Sequence, residues 1–169
     1  MSLPRTPSFR LDGKRALVAG GSRGIGLGCA VALAEAGAHV VVAARGQARL
    51  EATVAQMQEA GFSAEGLVLD ITDVAAVEAA VAAQGPFDVL VNSAGIARHS
   101  QAVDTAAQDF DAVMNANVRG AYFLATSVAR GLLAAGKSGS IIQISSQMGH
   151  VGGIDRAVYC GTKHAVEGM

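Results

Sequence analysis

Two kinds of residue are scarce in this chain of 169 residues, and their scarcity narrows its function. There are only two cysteines, Cys29 and Cys160. They lie far apart in sequence within expected helices, so free thiols in a reducing cytoplasm are the simplest account, and a disulfide-stapled scaffold is excluded. The histidines have no metal-ligand spacing: His99 and His164 stand apart and no Cys/His cluster exists, so no metal is expected. Neither sign of charge dominates. Lys plus Arg number 13 against 14 Asp plus Glu, with no basic run, which argues against a nucleic-acid partner. No uninterrupted apolar run is long enough to span a bilayer. The segment Met1-Ser2-Leu3-Pro4-Arg5-Thr6-Pro7 has no hydrophobic signal core, and residues 1–13 read as a short disordered leader.

Apolar residues are plentiful, at 51% of the chain, with a mean hydropathy of +0.36. That suffices for one domain with a sizeable core, placed at residues 14–169. The pattern alternates short apolar runs with Ala-rich helical stretches. Strands are expected at 15–19, 39–43, 66–69, 88–91 and 140–144. Helices are expected at 27–36, 48–60, 74–83 (capped by Thr72 or Asp73), 104–114 and 118–135, with another beginning at the Tyr159 segment. Such alternation implies an α/β fold, a parallel sheet covered by helices on both faces. Ligands of these sheets bind beyond the carboxyl ends of the strands. Gly20, Arg45, Asp70, Asn92 and the Ser145-Ser146 pair all fall at such ends, which points to one shared site.

The first of these ends carries Gly20-Gly21-Ser22-Arg23-Gly24-Ile25-Gly26, between a strand and a helix. Its spacing is Gly20-x-x-x-Gly24-x-Gly26 rather than G-x-G-x-x-G. Glycines permit positive φ and let backbone amides approach a pyrophosphate, and a helix N-terminus adds free N–H groups and partial positive charge. The last end leads into a different chemistry. Tyr159 follows Ser146 by thirteen positions and Lys163 follows Tyr159 by four. On a helix the last two share a face, with Cβ atoms ~5–6 Å apart. A phenol is a poor acid–base catalyst near neutral pH, but a neighbouring ammonium favours the phenolate. The lysine makes the tyrosine a usable proton donor and acceptor, and a serine hydroxyl can hydrogen-bond the reacting oxygen.

Taken in order, Gly20-x-x-x-Gly24-x-Gly26, Asn92-Ser93-Ala94-Gly95, Asn117, Ser146, Tyr159 and Lys163 resemble the classical short-chain dehydrogenase/reductase family, from about Lys14 to the last residue. The resemblance implies a Rossmann-type doubly wound parallel sheet. It also implies further C-terminal elements, including a substrate-closing loop, that this sequence does not contain. The expectation is therefore that the whole protein continues past Met169. The resemblance makes Tyr159 the general acid/base and Lys163 its modifier and a ribose ligand. Ser146, with Ser145 as rival, would polarise the carbonyl, and Asn117, with Asn115 as rival, would hold a relay water.

For the cofactor, the resemblance points to Gly20, Ser22, Arg23, Gly24, Ile25, Gly26, Arg45, Asp70, Ile71, Asn92, Ala94, Gly95, Tyr159 and Lys163. Ser93 replaces the usual second asparagine and restores only part of its hydrogen bonding. NAD-preferring dehydrogenases place Asp or Glu at the end of the second strand. Here that place holds Ala43-Ala44-Arg45, with no acid before Glu51. Arg45 and Arg23 would attract a 2′-phosphate, so NADP(H) is expected over NAD(H).

The implied reaction is interconversion of a carbonyl and an alcohol on a small molecule, either a 3-oxoacyl thioester or a sugar, polyol or keto-acid. A nucleotide-binding sensor or scaffold without turnover is the alternative. The Gln147–Gly153 loop is expected to border the substrate; its His150 is read as structural or exposed, with selection of polar substrates as the alternative. The helix over 118–135 is too apolar for the sheet alone to cover; the resemblance implies that it and the Tyr159 helix pack against a second subunit, in a homodimer or homotetramer, the alternative being cover by elements past Met169 in the same chain.

Overall fold

The computed structural model describes residues 6–169; residues 1–5, the start of the expected leader, lie outside the described residues. Five parallel strands form one sheet: β1 (Arg15–Ala19), β2 (His39–Ala44), β3 (Ala64–Val68), β4 (Val89–Asn92) and β5 (Ser140–Gln143). Their order across the sheet is β3-β2-β1-β4-β5. The chain runs outward from β1 through β2 to β3, then crosses back to β4 on the other side. The sheet therefore has a switch point between β1 and β4, and its parallel pairing runs Ala16–Val89 through Ala19–Asn92 there.

The helices α1 (Gly24–Glu35) and α2 (Gln47–Glu59) cover one face; α3 (Val74–Gln84) and α5 (Ala121–Ala134) cover the other. Strand residues alternate between these two cores. Ala16, Val18, Val40 and Val42 meet Ala30, Leu50 and Val54 on the first face. Leu17, Val41 and Leu90 meet Val77, Leu124 and Val128 on the second. Each fully buried Val or Leu contributes about 1.5–3 kcal/mol, and this two-sided burial is why β1, β2 and β4 read as unbroken apolar runs.

Ahead of β1, Leu11 packs on the first core, and its N–H reaches the Ala36 carbonyl at 2.8 Å. Arg10 Nη1 donates to the Glu35 carbonyl at 3.0 Å. These bonds satisfy carbonyls that the end of α1 leaves open.

Several element boundaries differ from the sequence pattern. Helix α1 begins at Gly24, three residues earlier than its apolar stretch suggests; packing on the sheet outweighs the poor helix propensity of Gly24 and Gly26. Strand β3 starts at Ala64, because an edge strand with one open face alternates instead of running apolar. Asp88 stands just outside β4, its carboxylate accepting the Arg15 N–H at 3.0 Å and Lys14 Nζ at 3.2 Å. Between Thr72 and Asp73 the cap is Asp73, which accepts the Ala76 N–H at 3.0 Å.

The largest difference lies between the fourth and fifth strands. A single 3₁₀ turn at Ala102–Asp104 precedes α4 (Ala107–Met114), and α4 runs without a break through a π-helical segment, Asn115–Gly120, into α5. The widened turn seats Gly120 where a Cβ would lie 2.6 Å from the Ile71 carbonyl oxygen. The last helix, α6 (Ala157–Glu167), carries Tyr159 and Lys163.

Candidate active site

An open cavity of about 880 Å³ lies beyond the carboxyl ends of β1, β2, β3 and β4. Its floor is the loop after β1. Gly20 has φ +74°, and a Cβ there would lie 2.7 Å from the Ala94 backbone nitrogen. Gly26 in the first turn of α1 admits no Cβ either, since the Gly20 carbonyl oxygen occupies its place. Gly24, at φ +55°, has nothing near its missing side chain. Arg23 precedes α1 with extended backbone and no side-chain cap, so the first amides of the helix remain open at the cavity. A tight glycine floor that side chains would fill, under uncapped helix amides, fits a pyrophosphate.

Ten of the residues expected to touch a cofactor line this cavity: Gly20, Ser22, Arg23, Gly24, Ile25, Arg45, Asp70, Ile71, Ala94 and Gly95. Gly26 and Asn92 sit behind its wall. Asn92 is 3% exposed, donates Nδ2 to Gln143 Oε1 at 2.8 Å and accepts the Ala94 N–H at 3.2 Å, so it ties β4 to β5. Ser93 keeps its backbone bond to the Ala19 carbonyl at 2.9 Å. Other lining residues were not read from the sequence as cofactor contacts, Arg49 and Thr72 among them. Arg49 lies one helical turn after Arg45, a spacing that could have revealed it; Thr72 orients Asp70.

Electrostatically the adenosine end is mixed. Asp70 Oδ1 accepts the Thr72 N–H at 2.9 Å and its hydroxyl at 2.8 Å, and Oδ2 faces Arg45 Nη1 at 3.6 Å. Burial alone would raise the Asp70 pKa, but the two Thr72 bonds and Arg45 hold it below the ordinary carboxylate value. A smaller adjoining cavity of about 500 Å³ is lined by Arg45, Thr72, Ile96, Arg98 and Asn115.

Tyr159 and Lys163, also expected to touch the cofactor, do not line this cavity; they stand together on α6. Lys163 is 8% exposed; its Nζ donates to the Ile144 carbonyl at 2.7 Å and lies 5.8 Å from the centroid of the Tyr159 ring. Burial lowers the Lys163 pKa from its ordinary value. The two side chains share one face, as a four-residue helical spacing dictates. Ser146 caps a 3₁₀ turn, Gln147–Gly149, by accepting the Met148 N–H at 3.1 Å. That turn packs on α6, where a Cβ at Gly149 would lie 3.0 Å from the Lys163 carbonyl oxygen. The neighbouring Ser145 hydroxyl is buried without a partner.

Asn117 is 2% exposed within the π-helical segment, and both ends of its amide grip the backbone of Ile96 at 2.8 Å. Asn115 lines the smaller cavity instead. His99 lies edge-on to Tyr159, with ring centroids 6.5 Å apart, a neighbour the sequence did not reveal. His150 Nε2 lies 3.3 Å from Glu167 Oε1. Among the described residues no group of three or more His, Cys, Asp or Glu could hold a metal ion, and no helix is long and apolar enough to cross a membrane.

A doubly wound parallel sheet with a glycine floor at its switch point and a Tyr/Lys pair on its last helix defines a dinucleotide-binding α/β protein. Residues 14–169 match the short chain dehydrogenase family, and the chain belongs to it. It is 38% identical to L-xylulose reductase of Mesocricetus auratus over 157 residues, 93% of this chain and 63% of that protein. It is 39% identical to 2-keto-3-deoxy-L-fuconate dehydrogenase of Xanthomonas campestris pv. campestris over 170 residues, all of this chain and 55% of that protein. The chain thus spans less than two thirds of the length of these curated relatives. Among solved structures, gluconate 5-dehydrogenase of Burkholderia cenocepacia J2315, in complex with NADP and tartrate, superposes with a TM-score of 0.88 at 39% identity, covering 94% of this chain and 64% of that one.

Proposed function

We propose that the whole protein is an NADPH-dependent oxidoreductase that interconverts a carbonyl and a secondary alcohol on a sugar, polyol or keto-acid. The observation that carries this reading is the buried Lys163 ammonium beside the Tyr159 ring, on a helix tied through Asn117 to Ile96 in the wall of a cavity shaped for a dinucleotide. Sugar and sugar-acid chemistry is favoured over 3-oxoacyl thioesters by the names of the relatives, which include xylulose, fuconate and gluconate enzymes.

The bound nicotinamide would supply the hydride. The glycine floor and the open α1 amides would hold the pyrophosphate, and Arg23, Arg45 and Arg49 would face the 2′-phosphate. Tyr159 would give its phenolic proton to the carbonyl oxygen in reduction and take it back in oxidation. Lys163 favours the ionised phenol and would also bond the ribose. Ser146, whose oxygen accepts the Met148 N–H, keeps its own proton free for the substrate oxygen. Asn117 would hold the relay water through its backbone, because its side-chain donors are already committed.

A homodimer or homotetramer working in the cytoplasm completes the proposal. Tyr122 is 50% exposed and Leu133 78% exposed on α5, apolar surface that a second subunit would cover.

The test is a panel of ketoses, polyols and keto-acids assayed with the full-length protein and NADPH. Wild type should turn over at least one of them. Tyr159→Phe should lose nearly all turnover and keep NADPH affinity; substantial turnover in that variant would sink the assignment.

A further inference from the structure

Asn117, Thr162 and the Tyr159 backbone form one directed chain of hydrogen bonds. The Asn117 amide can point only one way, since Oδ1 accepts the Ile96 N–H at 2.8 Å. Nδ2 then donates to the Ile96 carbonyl at 2.8 Å and to Thr162 Oγ1 at 3.1 Å. The single proton of Thr162 goes to the Tyr159 carbonyl at 2.7 Å. Every donor in the chain is used, and its direction is fixed, because a carbonyl only accepts and an amide nitrogen only donates. Thr162 is fully buried. Gly95 lies beside the chain, where a Cβ would press on Asn117 Oδ1 at 3.0 Å.

A helical threonine often bonds a carbonyl one turn back, and that alone would account for the contact with Tyr159. It does not account for the bond from Asn117, which comes from another helix, forty-five residues earlier in the chain. That bond joins three pieces of the site: the loop after β4, where Ile96 lines the cavity; the π-helical segment, where Ala116 lines it; and the first turn of α6, which carries the phenol.

We infer that Thr162 is a positioning residue, whose hydroxyl holds the Tyr159 turn of α6 at a fixed distance from the cofactor wall. The inference rests on the proposed role of Tyr159. It predicts a larger effect on the chemical step than on cofactor affinity, since the glycine floor and the residues after β2 and β3 that would bind most of the nucleotide make no hydrogen bond to Thr162.

The experiment uses the full-length protein with the panel substrate that wild type turns over fastest. Thr162→Val keeps the shape and removes both bonds. Its kcat should fall about tenfold while the NADPH Kd stays within about twofold, as misplacement of one reacting group implies. Thr162→Ser, which restores the hydroxyl, should recover kcat to within about twofold of wild type. Asn117→Ala combined with Thr162→Val should lose no more than Asn117→Ala alone, because the two act through one chain. Should Thr162→Val fail to fold, Thr162→Cys keeps the bulk with weaker bonding and should show the same split between kcat and Kd. Wild-type kcat in the valine (or cysteine) variant, or losses that simply multiply in the double variant, would overturn the inference. Tyr159→Phe is run alongside. Turnover surviving there overturns the role of Tyr159 and this inference with it; turnover lost there but intact in Thr162→Val overturns the inference alone.

Discussion

Arg45 at the end of β2 faces Asp70 at the end of β3, with Nη1 3.6 Å from Oδ2. Both side chains are substantially exposed, so the pair adds only about 0–1 kcal/mol to stability. Its importance is for charge selection. A phosphate that approaches Arg45 also meets a carboxylate, and Thr72 holds that carboxylate in place and ionised.

Cofactor preference should therefore respond to both residues, in opposite directions. Arg45→Asp should reverse or abolish the preference for NADPH over NADH. Asp70→Asn should raise the ratio of NADPH to NADH affinity several-fold, about 1 kcal/mol of relieved repulsion. The ratio is the readout, because any contact of Asp70 with adenine affects both cofactors alike. Fluorescence titration of the purified protein measures it, and wild type binding NADH as tightly as NADPH would refute the arginine argument.

Gly26→Ala forces a methyl group onto the Gly20 carbonyl oxygen. The oxygen belongs to the backbone of the floor, so the loop must shift. Affinity for either cofactor should drop at least ~10-fold, since the open amides move with the loop. Gly28→Ala, two residues further along α1 where nothing lies within reach of the added carbon, should bind normally. Isothermal titration of the two variants separates a loop effect from a general loss of glycine.

Asp88 is 8% exposed and accepts from the Arg15 N–H and from Lys14. Burial would raise its pKa, yet these two partners and Lys137 hold it below the ordinary 3.8. A carboxylate depressed on folding stabilises fully above its unfolded pKa, and the gain is lost as pH falls through the folded value. Asp88→Asn should cost about 1–3 kcal/mol at neutral pH by weakening the anchor of β1. That difference should shrink below about pH 4, when urea unfolding of both proteins is compared.

Lys163 shifts in the same direction, but there the charged form is the one that burial penalises. Its folded pKa lies below the ordinary 10.5, so the unfolded chain holds more protons between the two values. Stability gained from this residue should therefore rise with pH across that window and be smallest below it. In the cofactor-free protein, the stability of wild type minus Lys163→Met should climb toward pH 10.5. A flat difference would show that the ammonium is not desolvated.

Assembly has its own check. Light scattering on full-length protein at micromolar concentration should give a dimer or tetramer mass, and a monomer would refute the two-fold packing.

Much of this was legible in the sequence, for a common reason. Short apolar runs ended by glycine or a polar residue mark buried parallel strands, and β1, β2, β4 and the residues at their carboxyl ends fall where that pattern puts them. What escaped depends on contacts between distant residues. Asn115-Ala116-Asn117-Val118-Arg119-Gly120 has nothing local that separates an α-turn from a π-turn; the widened form coincides with an Asn117 amide that reaches Ile96 and a Gly120 set against Ile71. The Arg45–Asp70 pair exists only because β3 lies beside β2. Thr162 reads as a spacer between Tyr159 and Lys163 until α6 is placed beside Asn117.

The central place of β1 also dictates an order of assembly. Its register with β2 joins residues 24 apart, whereas its register with β4 joins residues more than seventy apart. Distant parallel pairings form slowly, because the chain between them must close first. As the chain leaves the ribosome, Gly20, Gly24 and Gly26 emerge long before Ala94, whose backbone closes over Gly20. A nascent chain with β1 paired only to β2 has its glycines but no cradle. Nucleotide capture would thus report that the second half of the sheet has docked, and a cofactor present during synthesis would favour chains that have completed that step.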